Sequence, residues 1–149
     1  MTPQRKRVLA VDFGDRRTGL AGTDGSGTLV VPLPALHGLG ERGCAEAVAA
    51  TARDRDSEVV VVGLPLDARG KVGERARRTL VFVDTLRPLS PCPVETVDET
   101  YSTDEAHERL KALGLKAARR RAHADSVAAM VICERYLAGL HRRRPASET

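Results

Sequence analysis

Aromatic side chains are scarce in this chain: its 149 residues include no tryptophan, and only Phe13, Phe82, Tyr101 and Tyr136 carry large rings. A platform on which successive nucleobases stack needs several exposed rings, so that mode of binding is excluded. Cysteine is equally sparse. Cys44, Cys92 and Cys133 are odd in number, far apart and without metal-ligand spacing, which leaves buried or idle thiols. No apolar run approaches the ~20 residues of a membrane-spanning helix. The opening Met-Thr-Pro-Gln-Arg-Lys-Arg leads straight into a strand-like segment, without the apolar stretch and small-residue cleavage site of a signal peptide. A cytoplasmic protein with no membrane partner is the expectation. No Gly-x-Gly-x-x-Gly follows the first strand and no Gly-Lys-Ser or Gly-Lys-Thr occurs, so neither a dinucleotide fold nor a phosphate loop is present.

What is there fits one globular domain. Hydrophobic residues make up 42% of the chain and charged residues 30%, and a chain of this length buries roughly 70% of its unfolded surface. The formal charge is +4, unevenly spread: from Lys116 onward eight Lys or Arg face three Asp or Glu, a net +5, which leaves −1 for the first 115 residues. The densest groups are Lys116 with Arg119, Arg120 and Arg121, then Arg142 to Arg144. Such runs form either a solvated face or a contact for a polyanion.

Patterning predicts the order β-β-β-α-β-α-β-α-α. Val8–Phe13 and Gly19–Thr23 read as a hairpin, with a third strand around Thr28–Pro32 after the turn chemistry of Asp24-Gly-Ser-Gly27. Cys44, Ala45, Val48, Ala49 and Ala52 recur at helical spacing, and "EVVVVGLP" is a continuous apolar run of the kind buried on both faces. Ala76, Leu80, Val83 and Leu86 stripe a second helix, "VETVDE" is a short strand, and helices are expected from Ser102 to about Leu113 and from about Ala117 to Leu140. The fold class is therefore α/β, with a mixed sheet, antiparallel strands first and parallel strands after, and helices on both faces.

Within that frame Asp12 stands out, because strand alternation puts it on one face with Val8 and Ala10. A carboxylate in a central strand is costly unless cations or donors meet it. Asp98 and Glu99 end "VETVDE" and point to opposite faces, so at most one can converge with Asp12. Asp125 sits near the start of the last helix, with small Ala128 and Ala129 beside it. Two carboxylates ~4 Å apart repel by about 4 kcal/mol at an effective dielectric of 20. A converging set therefore calls for Mg²⁺ or Mn²⁺, two of which can drive phosphodiester hydrolysis. The plainer alternative is that Asp12 caps or turns locally and that the other acids lie on the surface.

Four segments, "LAVDFGDRRTGLAGTD", "VVVGLPLDARGKVGERA", "VDETYSTDEA" and "ARRRAHADSVAAMVICERYL", together resemble the YqgF/RuvX family over Val8 to about Leu140. These are small bacterial nucleases with a ribonuclease H-like fold, described both as Holliday junction resolvases and as pre-16S ribosomal RNA nucleases. The resemblance implies a five-stranded ribonuclease H-like sheet, a single nuclease domain over residues 1–140 and a basic, flexible tail over 141–149. It places the metal-binding and catalytic acids at Asp12, Glu99 and Asp125, choosing Glu99 over Asp98, and implies a two-metal site for Mg²⁺ or Mn²⁺. Gly14 and Gly19 match family glycines, Arg17 matches a basic turn residue able to touch phosphate, and Ser102 and Thr103 match a hydroxyl pair that can equally cap a helix. Nucleic-acid contacts are expected at Gly14, Arg17, Lys116, Arg119, Arg120 and Arg121. Two departures stand out, Asp67 for the family's asparagine and Thr100 for its arginine.

The implied activity is metal-dependent endonucleolytic cleavage in the 5′-end maturation of pre-16S ribosomal RNA, with ribosomal particles as possible partners and a monomer or homodimer as the working unit. Resolution of four-way junction DNA is the alternative within the enzyme class. A non-catalytic nucleic-acid-binding module, or half of a nucleotide-binding fold of the actin and sugar-kinase type, are alternatives from other classes. His123 reads as a surface or basic-patch residue, and His37, His107 and His141 have no evident role.

Overall fold

A computed structural model of the chain describes residues 6–27, 29–67, 69–98 and 126–139. Five strands, β1 (Val8–Asp12), β2 (Arg17–Thr23), β3 (Val30–His37), β4 (Val59–Leu64) and β5 (Val94–Asp98), form one sheet in the order β3-β2-β1-β4-β5. β1 pairs antiparallel with β2, and β2 with β3, whereas β4 is parallel to both β1 and β5. The expected mixed sheet is present, with β1 at its centre. No helix among the described residues is long and apolar enough to cross a membrane.

β1 and β4 hold the middle because their residues can be dry on both sides. Leu9, Val11, Val60 and Val62 meet α1 (Gly40–Asp54) and α2 (Glu74–Leu86) on one face, with Leu20, Val48, Phe82 and Leu86 in the same core. Val8, Ala10, Val59 and Val61 meet the other layer, a helix covering residues 126–139, through Ile132, Cys133 and Tyr136. Helices thus cover both faces. Ala21, Ala128 and Ala129 are packed together where that helix passes over β2, so small side chains set a close approach. Ser126 Oγ donates to the Leu33 carbonyl at 2.6 Å and pins the same helix to β3.

The third strand departs from its expected limits. β3 begins at Val30 and continues to His37 through Pro32 and Pro34, while the expected start, Thr28, lies outside the described residues. Proline is admissible there because β3 is an edge strand, where a missing N–H costs no ladder bond, and the β2–β3 register shifts between Thr18 and Leu20. The helices expected before residue 126 also lie outside the described residues.

Two features of the core are open to measurement. Phe82 is fully buried and stacks on Phe13 with ring centroids 4.2 Å apart, joining α2 to the residue just after β1. Phe82→Ala should lower the unfolding free energy by about 3–5 kcal/mol, seen as a lower urea midpoint at an unchanged slope. The buried thiols behave as expected of inert groups: burial pushes Cys133 up to about 12, and it raises Cys44 despite the opposing hydrogen bond to Thr18. Since the thiolate is the nucleophile, alkylation of the native protein at pH 8 should mark the partly exposed Cys92 first, with Cys44 and Cys133 reacting only on unfolding. Peptide mapping after a timed iodoacetamide pulse reads this directly.

Candidate active site at the carboxyl end of the central strand

Asp12 is the last residue of β1 and shares the face of Val8 and Ala10, as strand alternation requires. The carboxylate is half-buried, with Oδ1 sealed from solvent. Its antiparallel neighbour on β2 is Gly19. On β4 the parallel register pairs Val11 with Val62, so the next step brings Asp12 level with Gly63. A carboxylate between two glycines has no side chain beside it on either neighbouring strand. The acid thus stands where the rest of the strand is flanked by apolar side chains.

The turn after Asp12 explains Gly14. A Cβ there would run into the Arg17 carbonyl oxygen, so the backbone crosses itself too tightly for any side chain. Thr18 closes the same turn: its Oγ1 accepts from the Gly14 amide at 3.4 Å and lies 3.5 Å from the Gly14 carbonyl. Arg17 follows at the start of β2, exposed and opposite His37 on β3. The loop beyond β4 holds Asp67, whose carboxylate accepts the amides of Arg69 at 2.8 Å and Lys71 at 2.9 Å. The acid that departs from the family pattern thus folds its own loop, a task that the amide oxygen of asparagine performs equally well.

Glu99, Thr100, Ser102, Thr103, Lys116, Arg119, Arg120, Arg121 and Asp125 lie outside the described residues, as does the tail over 141–149. Among the described residues no three His, Cys, Asp or Glu stand close enough to hold a metal together, and Asp12 alone represents the expected acidic set. The elements leading to the other two acids are in view. Val61 pairs with Glu95 and Gly63 with Val97, so Glu95 and Val97 share the face of Asp12 while Asp98 takes the other. Glu95 accepts from the Tyr136 hydroxyl at 3.0 Å, and the Arg135 guanidinium donates to the Asp98 carbonyl at 3.1 Å. These two bonds brace the 126–139 helix along β5.

Sequence reasoning missed a cleft on the opposite layer, lined by Phe13, Gly14, Asp15, Arg75, Arg78 and Thr79. Arg78 pairs with Asp15 across it, joining α2 to the β1–β2 turn. The signal was available in the run Arg69 to Arg78, where Arg69, Lys71, Arg75, Arg77 and Arg78 outnumber Glu74.

Several known proteins are similar to this chain over most of its length. The family model described as RuvX, Holliday junction resolvase, matches residues 6–139. A protein of Chloroflexus aurantiacus, provisionally named a pre-16S rRNA nuclease, is 37% identical over 130 residues, covering 87% of this chain and 85% of the relative. A protein of Roseiflexus sp. strain RS-1 with the same provisional name is 36% identical over 137 residues, covering 92% and 97%. Among solved structures, Thermus thermophilus RuvC superposes with a TM-score of 0.54 at 21% identity, over 85% of this chain and 92% of that one, a likeness of fold.

The collision at Gly14 sets an expectation for the site as a whole. Gly14→Ala must open the turn that follows Asp12, so thermal unfolding should shift down by several degrees, corresponding to about 1–3 kcal/mol, and any activity dependent on Asp12 should fall with it. Differential scanning calorimetry beside Gly25→Ala, where an added Cβ meets nothing within 4 Å, isolates the effect.

Proposed function

The chain belongs to the RuvX family, and on that premise we propose that it is a divalent-metal-dependent endonuclease whose substrate is the precursor of 16S ribosomal RNA. The observation that carries the reading is Asp12 itself, a half-buried carboxylate at the carboxyl end of the central strand with glycine on both neighbouring strands. Further support comes from strand parity: β5 carries Glu95 and Val97 on the Asp12 face, and in the sequence Glu99 is the next residue of that parity. Asp125 directly precedes Ser126, the residue that pins the helix of that layer to β3.

Oxygen donors of this kind suit Mg²⁺ or Mn²⁺. In the proposed arrangement Asp12, Glu99 and Asp125 would together hold two such ions. When bound, such ions activate water and stabilise the leaving oxygen in phosphodiester hydrolysis. The chain's own residues then bind and orient the substrate. Gly14 and the tight turn let its backbone approach, Arg17 offers a guanidinium at the turn, and Lys116, Arg119, Arg120 and Arg121 supply affinity independent of sequence. On single strands that electrostatic share gives a slope in log salt of about −0.7 per phosphate neutralised. Phe13 is stacked on Phe82 and Tyr136 is buried against Glu95, so recognition rests on backbone and shape. The proposed setting is the cytoplasm, with a ribosomal particle as the natural place to meet the substrate.

Junction DNA is the second reading, favoured by the description of the family whose model matches. Resolution needs two symmetric cuts and therefore two active sites related by a dimer axis. The test is cleavage at low salt, with Mg²⁺ and then Mn²⁺, of a single-stranded RNA spanning a ribosomal precursor end and of a four-way DNA junction. Asp12→Asn should reduce cutting to background while leaving binding within about twofold, because affinity rests on the basic residues and the substitution removes no positive charge. Metal-dependent RNA cutting lost in the variant supports the maturation nuclease. Paired symmetric nicks in the junction support the resolvase, and binding of both substrates with no cutting by the unsubstituted protein would replace either with a binding module.

A further inference from the structure

The cleft between α2 and the β1–β2 turn has no place in the acid-centred reading, yet it begins one residue beyond Asp12. Phe13 and Gly14 line it, with Phe13 packed on the opposite layer of the sheet from the carboxylate. Arg75 and Arg78 both line it and stand three residues apart on α2, a spacing that puts their side chains on one side of the helix. Their mount is rigid, since Ala76 and Thr79 are buried and Thr79 Oγ1 donates to the Arg75 carbonyl at 2.9 Å. The third arginine of the run turns elsewhere: Arg77 lies 3.5 Å from Glu74 on the outer surface.

We propose that Arg75 and Arg78 form a second phosphate contact, which grips a flanking segment of the same nucleic-acid strand as it crosses the carboxyl ends of β1 and β4, with Asp15 as an internal competitor for Arg78. This rests on the nuclease reading and deepens it by adding a stretch of substrate path outside the acidic centre. Guanidinium groups match phosphate oxygens in paired hydrogen bonds, and two of them on one helix face fix direction as well as charge. The Arg75 guanidinium makes no ion pair with any described residue. Arg78 is held by Asp15, but the two side chains are 49% and 61% exposed. An exposed ion pair contributes little, so an arriving phosphate displaces Asp15 at small cost. Asp15 keeps Arg78 aimed into the cleft when no substrate is bound and weakens binding once it is.

The inference makes predictions of opposite sign for two partners of one ion pair. In fluorescence anisotropy with a labelled single-stranded RNA, without divalent ions and across a potassium chloride series, Arg75→Ala and Arg78→Ala should each weaken binding by about threefold to tenfold and flatten the log salt slope by about 0.7. Asp15→Asn breaks the same bridge as Arg78→Ala but should tighten binding, so a loss caused only by an unlatched turn is distinguished from a lost phosphate contact. Arg77→Ala, facing away, serves as the charge-matched control and should change affinity by less than about twofold. If the Arg75 and Arg78 variants differ from the Arg77 variant in neither affinity nor slope, the second contact does not exist although the nuclease reading stands. If the unsubstituted protein binds neither the RNA nor a four-way junction, the nuclease reading fails and this inference falls with it.

Discussion

A strand buried on both faces has no room for polar chemistry except at its ends. β1 is such a strand: Leu9 and Val11 are sealed by α1 and α2, Val8 and Ala10 by the 126–139 helix, and each is at most 1% exposed. An acid in the middle of that stack would lose its hydration with nothing to replace it. Placed at the last position, Asp12 keeps partial access to solvent while inheriting the rigidity of the most constrained strand in the sheet. Its neighbours in the pairing, Gly19 on β2 and Gly63 on β4, place no side chain beside it.

The two layers then take different parts. The α1 and α2 layer supplies bulk, with Phe82, Leu86 and Val48 filling the space over β1 and β4. The opposite layer is built of smaller contacts, Ala10, Ala21, Ala128 and Ala129, and of three hydrogen bonds that tie the 126–139 helix to β3 and β5. Close approach with polar pins is a way to hold a helix at a set height above a sheet edge.

Much of this was legible in the residues. The apolar run Val59 to Val62 could only be a central strand, the α1 stripe came out residue for residue, and Asp12 was conspicuous as an acid in apolar surroundings. Alternation alone left Asp98 and Glu99 undecided, because parity cannot name a face until the register is known; the pairing of Gly63 with Val97 and of Leu64 with Asp98 puts Asp98 on the face away from Asp12, while Glu99 lies outside the described residues. The limits of β3 were misjudged since two prolines look like punctuation, and only the edge position makes them harmless. The Arg75 and Arg78 cleft was hidden for another reason: its residues come from segments some sixty positions apart, and the ion pair of Arg78 with Asp15 is a product of the fold. Asp67 shows the converse. In the sequence it stands out as a departure from the family's asparagine, and it proves to be a loop-forming acceptor.

The use of the few aromatic rings bears on how any polyanion is recognised. Phe13 lines the cleft, where a base could have stacked on it, yet its ring is taken up by Phe82. Tyr136 is consumed by the brace to Glu95. Of the four rings in the chain, three are therefore committed to holding elements in place. With stacking surrendered to the core, the described surface around Asp12 has arginines and backbone to offer: Arg17 at the turn, Arg75 and Arg78 in the cleft, and glycine on either side of the acid. Such a surface discriminates by the spacing and direction of phosphates and by the room available to the sugar-phosphate chain, with little purchase on base identity. A substrate would then be chosen by where its backbone can bend into the site, which makes the shape of the nucleic acid, or of the particle that holds it, the source of specificity.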